Sequence, residues 1–209
     1  GSAYYDIIIP SDYMISRMAE NGMLEKLNYD NIPNFEKYID GVFKNPDYDV
    51  AQEYSVPYTW GTVGLIYNTK YVQEPVDSWD ILWDEDYSGK ILMFSNSRDA
   101  FAIALKRLGY SMNTENPDEL REATELLKKQ KDVVQAYVMD QIFDKMTEEN
   151  AWIAPYYAGD YLTMADVNPD LAFVYPKEGV NYFVDAMCIP KTAENKEAAE
   201  LYIKPEPVR

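Results

Sequence analysis

The chain has 209 residues, enough for one large domain or two small ones, and its apolar share of 47% is ordinary for a globular protein. Its net charge of -17 argues against nucleic acid and anionic lipid as partners and favours cations, including small organic ones. The absence of histidine removes the commonest general base and metal ligand. The single cysteine, Cys188, excludes a disulfide framework within the chain and is expected to be a buried thiol.

The first predicted element is a strand over residues 5–9, an apolar run rich in β-branched residues that Pro10 stops. A run this short and apolar predicts a strand buried on both faces. Ser11 or Asp12 can cap a following helix, whose apolar positions would be Tyr13, Met14, Met18 and Met23. Because ligands of open α/β sheets lie just beyond the carboxyl ends of strands, Ser11 and Tyr13 are candidate binding residues.

The rest of the chain alternates predicted strands and helices, which indicates an α/β fold. A polar loop region over 28–54 with one short helix precedes a long strand over 54–68, which glycines interrupt. Helices are predicted near 78–83, 101–108, 117–127, 140–149 and 194–203 and directly after Asp160, and strands near 90–94, 133–138, 151–155, 171–176 and 182–190.

Polar and aromatic side chains follow or end four of these strands. They are Ser11 and Tyr13, Asn96 and Asp99, Tyr157 and Asp160, and Phe183 and Asp185. Asp99 and Asp160 lie in the predicted first turns of helices, where the helix dipole favours an acidic residue whether or not it binds a ligand. Asp185 interrupts an apolar strand, and a buried carboxylate needs a partner. Three carboxylates with aromatic rings suit a ligand that carries positive charge at separated points.

Several short motifs occur in the same order along nearly the whole chain as in one protein family. They are Tyr5-Asp6-Ile7-Ile8-Ile9-Pro10-Ser11-x-Tyr13, Val56-Pro57-Tyr58-x-Trp60-Gly61, Ser78-Trp79-x-x-Leu82-Trp83, Leu105-x-x-Leu108-Gly109-Tyr110-Ser111, Val174-x-Pro176-Lys177-Glu178-Gly179 and Asp185-x-x-x-Ile189-Pro190. In this ordered set the chain resembles the substrate-binding proteins of polyamine (spermidine/putrescine) ABC transporters.

The resemblance implies a type II periplasmic-binding-protein-like α/β fold of two lobes. We expect residues 1–60 and 186–209 in a partial first lobe and 61–185 in the second, with crossover strands near 57–65 and 183–189. It further implies a protein that is not an enzyme and uses no cofactor or metal. Its ligand would be a polyamine held between the lobes, its partners the permease subunits of an importer, and its place the periplasm or the outer face of the membrane, in some members as a lipoprotein.

The resemblance also assigns polyamine contacts to specific positions. The expected ligand-binding residues are Ser11, Tyr13, Asn96, Asp99, Tyr157, Asp160, Phe183 and Asp185. Asn96 stands at a position that is acidic in some spermidine binders, which leaves the preferred polyamine open.

The chain departs from the family by omission. An amino-terminal strand with an aromatic–acid pocket motif and the last helices are not found, and the segment before Lys204-Pro205-Glu206 is short. Gly1-Ser2 is typical of cloning. We therefore expect the central part of a binding protein, with an unpaired sheet edge that favours self-association.

Two other functions fit parts of the pattern. A ferric-ion binding protein of the same fold would use Tyr156 and Tyr157 as ligands. A glycoside hydrolase would use paired carboxylates, although no acid stands out as the proton donor and the chain is short for such an enzyme.

Overall fold

The computed structural model describes residues 5–203. The six strands in that range are β1 (Ser55–Asn68), β2 (Ile91–Phe94), β3 (Val134–Val138), β4 (Ile153–Tyr157), β5 (Leu171–Val174) and β6 (Tyr182–Cys188). The seven α-helices there are α1 (Asp12–Glu20), α2 (Asn34–Tyr38), α3 (Ser97–Arg107), α4 (Pro117–Gln130), α5 (Ile142–Thr147), α6 (Ala158–Val167) and α7 (Lys196–Tyr202). The predictions made on Gly1-Ser2 and Lys204-Pro205-Glu206 lie outside the described residues.

The described chain divides into two compact units. Unit 1 takes the residues up to Trp60 and those from Phe183 onward, and unit 2 is Gly61–Tyr182. The assignment of 1–60 with 186–209 and of 61–185 to the two lobes of a binding protein stays a prediction.

Unit 2 is built on a mixed sheet with the strand order β3-β2-β4-β1-β5. Strand β2 runs parallel to β3 and β4, whereas β1 runs antiparallel to β4 and β5. All four residues of β2 are buried, as the short apolar run predicts for a central strand. The carboxyl ends of β3, β2 and β4 therefore meet at one edge of the sheet.

The long glycine-containing strand is confirmed as β1, and the short strand after Lys90 as β2. Helix α4 begins as its sequence predicts, with Pro117 in the first turn and the Asn116 side chain accepting a hydrogen bond from the backbone of Asp118. No helix within residues 5–203 combines the length and the apolar character needed to cross a membrane.

The prediction that residues 5–9 form a strand buried on both faces is wrong. This segment pairs with β6 only through isolated antiparallel bridges at Ile8 and Ser11. Tyr5 is 69% exposed and Ile9 48% exposed. Ile7 and Ile8 pack against buried clusters of unit 1, whereas Tyr5 and Ile9 keep contact with water, so the segment is covered only in part.

Helix α1 also differs from its predicted pattern. Ser11 occupies the N-cap position but makes no side-chain capping bond. The buried residue of this helix is Ile15, which packs with Leu24 and Cys188, while Met23 lies beyond the helix and is exposed. The predicted apolar face is confirmed at Met18, which packs against this cluster, and is wrong at Tyr13 and Met23, which are exposed.

Candidate functional site

The sheet of unit 2 delivers polar side chains at the carboxyl ends of three parallel strands. Asp140 follows β3, Asn96 and Asp99 follow β2, and Tyr157 ends β4 with Asp160 one turn later. Ligands of open α/β sheets bind at this edge. Three carboxylates therefore share the end of the sheet where a ligand is expected.

Asp99 lies in a cradle of neutral hydrogen-bond donors. Its Oδ2 accepts from Asn96 Nδ2 at 2.8 Å and from the Tyr157 hydroxyl at 2.9 Å. Its Oδ1 accepts from Asn181 Nδ2 at 2.9 Å. The side chain is buried, with 5% of the residue exposed. Donors on both oxygens satisfy this buried carboxylate and restrict its orientation.

Asn96 has two structural tasks at the start of α3. Its Oδ1 caps the helix by accepting from the backbone of Arg98 at 3.0 Å, which leaves its amide nitrogen to donate to Asp99. Asp99 itself stands in the first turn, where the helix dipole favours a negative charge. The sequence Asn96-x-x-Asp99 therefore places a carboxylate and one of its donors in a single turn.

Tyr157 is held by an aromatic cluster behind the strand ends. Its ring centroid lies 5.4 Å from that of Phe94 and 4.9 Å from that of Tyr156. Burial, followed by the charge of Asp99, raises the pKa of Tyr157. At neutral pH the phenol therefore keeps its proton and acts as a donor to Asp99.

Asp160 and Asp140 form a second pair of acids at this edge. Asp160 is half-buried in the first turn of α6. Burial, followed by the negative charge of Asp140, raises the pKa of Asp160. Burial and the charges of Asp160 and Asp140 raise the pKa of Tyr156 to about 12. A cation placed here would relieve the repulsion between the two carboxylates.

The raised pKa of Asp160 predicts a cost in stability at neutral pH. A carboxyl whose pKa is higher in the folded than in the unfolded state stabilises the fold fully below its ordinary value of 3.8, and this stabilisation is lost as the pH rises through the folded pKa. We therefore expect Asp160→Asn to raise the melting temperature of the ligand-free protein at pH 7, and this gain to vanish near pH 3. Calorimetric melting at both pH values measures it, and a lower melting temperature of the variant at pH 7 contradicts it.

Unit 1 presents the other predicted residues around β6. Asp12 Oδ2 accepts from the backbone of Val184 at 3.2 Å, and Ser11 forms an antiparallel bridge with Asp185. Tyr13 is 38% exposed, and Phe183 is half-buried. Asp185 Oδ1 is buried and has no hydrogen-bond partner within the described protein. An orphaned buried carboxylate oxygen is costly, so Asp185 Oδ1 is a candidate contact for a ligand that can donate a hydrogen bond.

The structure thus joins Asn96, Asp99 and Tyr157 by hydrogen bonds in unit 2, and the backbones of Ser11 and Asp185 in unit 1. Sequence reasoning missed Asn181 and Asp140. Asp140 could have been found, because it follows β3 as Asp99 follows β2. Among the described residues, no group of three or more acids and cysteines is placed to hold a metal ion.

Comparison with known proteins identifies relatives that match nearly the whole of this chain. The model of the bacterial extracellular solute-binding protein family matches residues 1–204. The spermidine/putrescine-binding periplasmic protein of Salmonella typhimurium is 33% identical over 196 residues, which cover 93% of this chain and 56% of that protein. The corresponding protein 1 of Haemophilus influenzae is 32% identical over 203 residues, covering 97% of this chain and 56% of that protein.

Solved structures of related proteins superpose on this chain. A putative spermidine/putrescine ABC transporter from Listeria monocytogenes superposes with a TM-score of 0.92 at 38% identity, covering 97% of this chain and 63% of that one. A lipoprotein of Treponema pallidum superposes with a TM-score of 0.89 at 29% identity, covering 97% and 65%. The predicted periplasmic-binding-protein-like fold is therefore confirmed. The chain spans 56% of the length of the first curated relatives.

Proposed function

Because the chain belongs to the bacterial extracellular solute-binding protein family, we propose that it captures polyamines such as putrescine and spermidine outside the cytoplasm for delivery to an ABC importer. The proposed partners are a polyamine and the permease subunits of that importer. The relatives at about one-third identity carry spermidine and putrescine in their names, which supports this ligand class. The proposal includes no bond-breaking step and no cofactor.

The observation that carries the proposal is the orphaned oxygen of Asp185. This carboxylate lies within an otherwise apolar stretch of β6, and its buried Oδ1 lacks a donor within the described residues. A ligand ammonium supplies both a proton donor and the opposite charge, which a neutral ligand would not. Ser11, paired with Asp185 through the backbone, is proposed to add a hydroxyl contact beside it.

Unit 2 carries carboxylates of its own at its sheet edge. We assign a second ammonium contact to Asp99, whose carboxylate accepts hydrogen bonds from Asn96 and Tyr157. Asp160 is proposed to add charge there. The rings of Tyr13, Tyr157 and Phe183 would pack on methylene groups and attract the cationic ends. The net charge of -17 favours the approach of such a ligand.

Neither rival function is favoured. For ferric-ion binding, Tyr156 and Tyr157 would have to lose their protons, but burial raises the pKa of both phenols, and the Tyr157 hydroxyl donates a hydrogen bond to Asp99. Glycoside hydrolysis is not supported, because the family and the named relatives are solute-binding proteins.

Self-association through a sheet edge stays a prediction that light scattering tests.

Calorimetric titration tests the proposed function. The natural full-length protein that carries this sequence is titrated with putrescine, spermidine and, as a neutral analogue of the same chain length as putrescine, 1,4-butanediol. We expect saturable binding of at least one polyamine and none of the diol, because the ammonium groups carry the recognition. Equal binding of the diol, or binding of neither polyamine, overturns the proposal.

The aromatic contribution is tested at Phe183. We expect Phe183→Ala to weaken polyamine binding by roughly 1–2 kcal/mol through lost packing and cation–π attraction. Phe183→Tyr keeps a ring and should bind within about threefold of the unmodified protein. If Phe183→Ala lowers the melting temperature but leaves the calorimetric affinity unchanged, the ring belongs to the core of unit 1 and is not a ligand contact.

A further inference from the structure

Asn181 connects the chain just before β6 to the carboxylate of Asp99. Its Nδ2 donates to Asp99 Oδ1 at 2.9 Å, whereas Asn96 and Tyr157 donate to Oδ2. The backbone oxygen of Asn181 in turn accepts from the backbone of Val63 in β1 at 3.0 Å. The amide is therefore fixed at its base by the sheet and at its tip by the carboxylate.

This placement determines how the carboxylate is presented. The donor on Oδ1 adds a constraint that the two donors on Oδ2 do not supply, and together the three hydrogen bonds define the plane of the carboxylate. An asparagine amide is neutral, so it orients the carboxylate without cancelling its charge, whereas a lysine or arginine at the same place would neutralise it. A fixed carboxylate that keeps its charge is the arrangement that a small cation requires.

We infer that Asn181 is a positioning residue that holds the Asp99 carboxylate in the orientation in which it receives an ammonium group, and that its neutrality helps to select amines. This inference rests on the proposed function and extends it to a residue outside the predicted contacts. Asn181 acts through Asp99 rather than by touching the ligand.

Two variants and one control test the inference. Asn181→Leu keeps a side chain of similar size but removes the donor, and Asn181→Ser keeps polarity but is too short to reach Asp99. The control is Asn168→Ala, since Asn168 is another hydrogen-bonded asparagine of unit 2, but it bonds to Thr147 and Asp170 at the far end of α6.

We expect Asn181→Leu and Asn181→Ser in the full-length protein to bind putrescine about tenfold more weakly. The ¹³C carboxyl resonance of Asp99 in the ligand-free variants should shift from its position in the unmodified protein. Asn168→Ala should lower the melting temperature but leave both the affinity and this resonance unchanged.

The possible results distinguish a failure of the positioning role of Asn181 from a failure of the proposed polyamine binding. If the unmodified protein binds putrescine and a folded Asn181 variant binds it equally well, the positioning role is overturned while the proposed function stands. If the unmodified protein binds no polyamine, the proposed function fails and the inference fails with it. A loss of affinity in Asn168→Ala equal to that in the Asn181 variants would assign the effect to stability and overturn the positioning role.

Discussion

Asp185→Asn is expected to weaken polyamine binding by about 2 kcal/mol or more, because a desolvated ammonium loses its charge partner. The substitution keeps the shape of the side chain and removes only the charge. Since Asp185 Oδ1 has no partner within the described protein, no internal hydrogen bond of that oxygen is lost. The ligand-free variant should therefore melt no earlier than the unmodified protein.

Calorimetric titration of putrescine and a thermal melt measure the two effects together. Glu20→Gln is the matched control, since it also removes one negative charge from unit 1 but at an exposed position at the end of α1. We expect the control to bind as the unmodified protein does. An Asp185→Asn variant with unchanged affinity would remove Asp185 from the site.

Asp99→Asn should have a larger effect, since it changes both binding and stability. The carboxylate accepts hydrogen bonds on both oxygens, and an amide presents its NH₂ group to a donor in either orientation. We expect the free energy of unfolding to fall by about 1–3 kcal/mol, because a buried donor is left unsatisfied. Polyamine affinity should fall by about 3 kcal/mol or more, because an oriented negative charge is lost.

Chemical denaturation and calorimetry measure these two effects separately. Asp166→Asn on the exposed face of α6 removes the same charge from unit 2 and should alter neither quantity appreciably. If Asp99→Asn lowers stability but binds putrescine normally, the cradle of donors around Asp99 is purely structural. Asp99 differs in this from Asp185, because the protein supplies donors to both oxygens of Asp99 but none to Asp185 Oδ1 within the described residues.

Elements with strong local signals were predictable from the sequence. The glycine-interrupted length of β1, the short apolar run of β2 and the Asn116-Pro117 start of α4 each depend on neighbouring residues, and each is confirmed. The burial of residues 5–9, in contrast, could not be predicted from the sequence. A short apolar run does not say which of its side chains the rest of the chain will cover: Ile7 and Ile8 are packed, whereas Tyr5 and Ile9 are exposed.

The acidic residues of the candidate site were predictable from the sequence, but the residues that hydrogen-bond to them were not all predictable. Asp99 and Asp160 follow the carboxyl ends of strands, where ligands of open α/β sheets bind, and Asp185 is a charged residue within an apolar strand. Asn181, in contrast, is 82 residues from Asp99 and lies in a stretch with no motif of its own. Such a contact depends on how the chain returns to the sheet, which no local pattern encodes.

A crystal structure of the full-length protein with bound putrescine tests the central claim most directly, namely that these carboxylates receive ligand ammonium groups. We predict ligand nitrogen atoms within about 3 Å of a carboxylate oxygen of Asp99 and of Asp185 Oδ1, with Asn181 still donating to Asp99. Well-ordered putrescine bound elsewhere, with Asp185 Oδ1 still lacking a donor, would contradict the account.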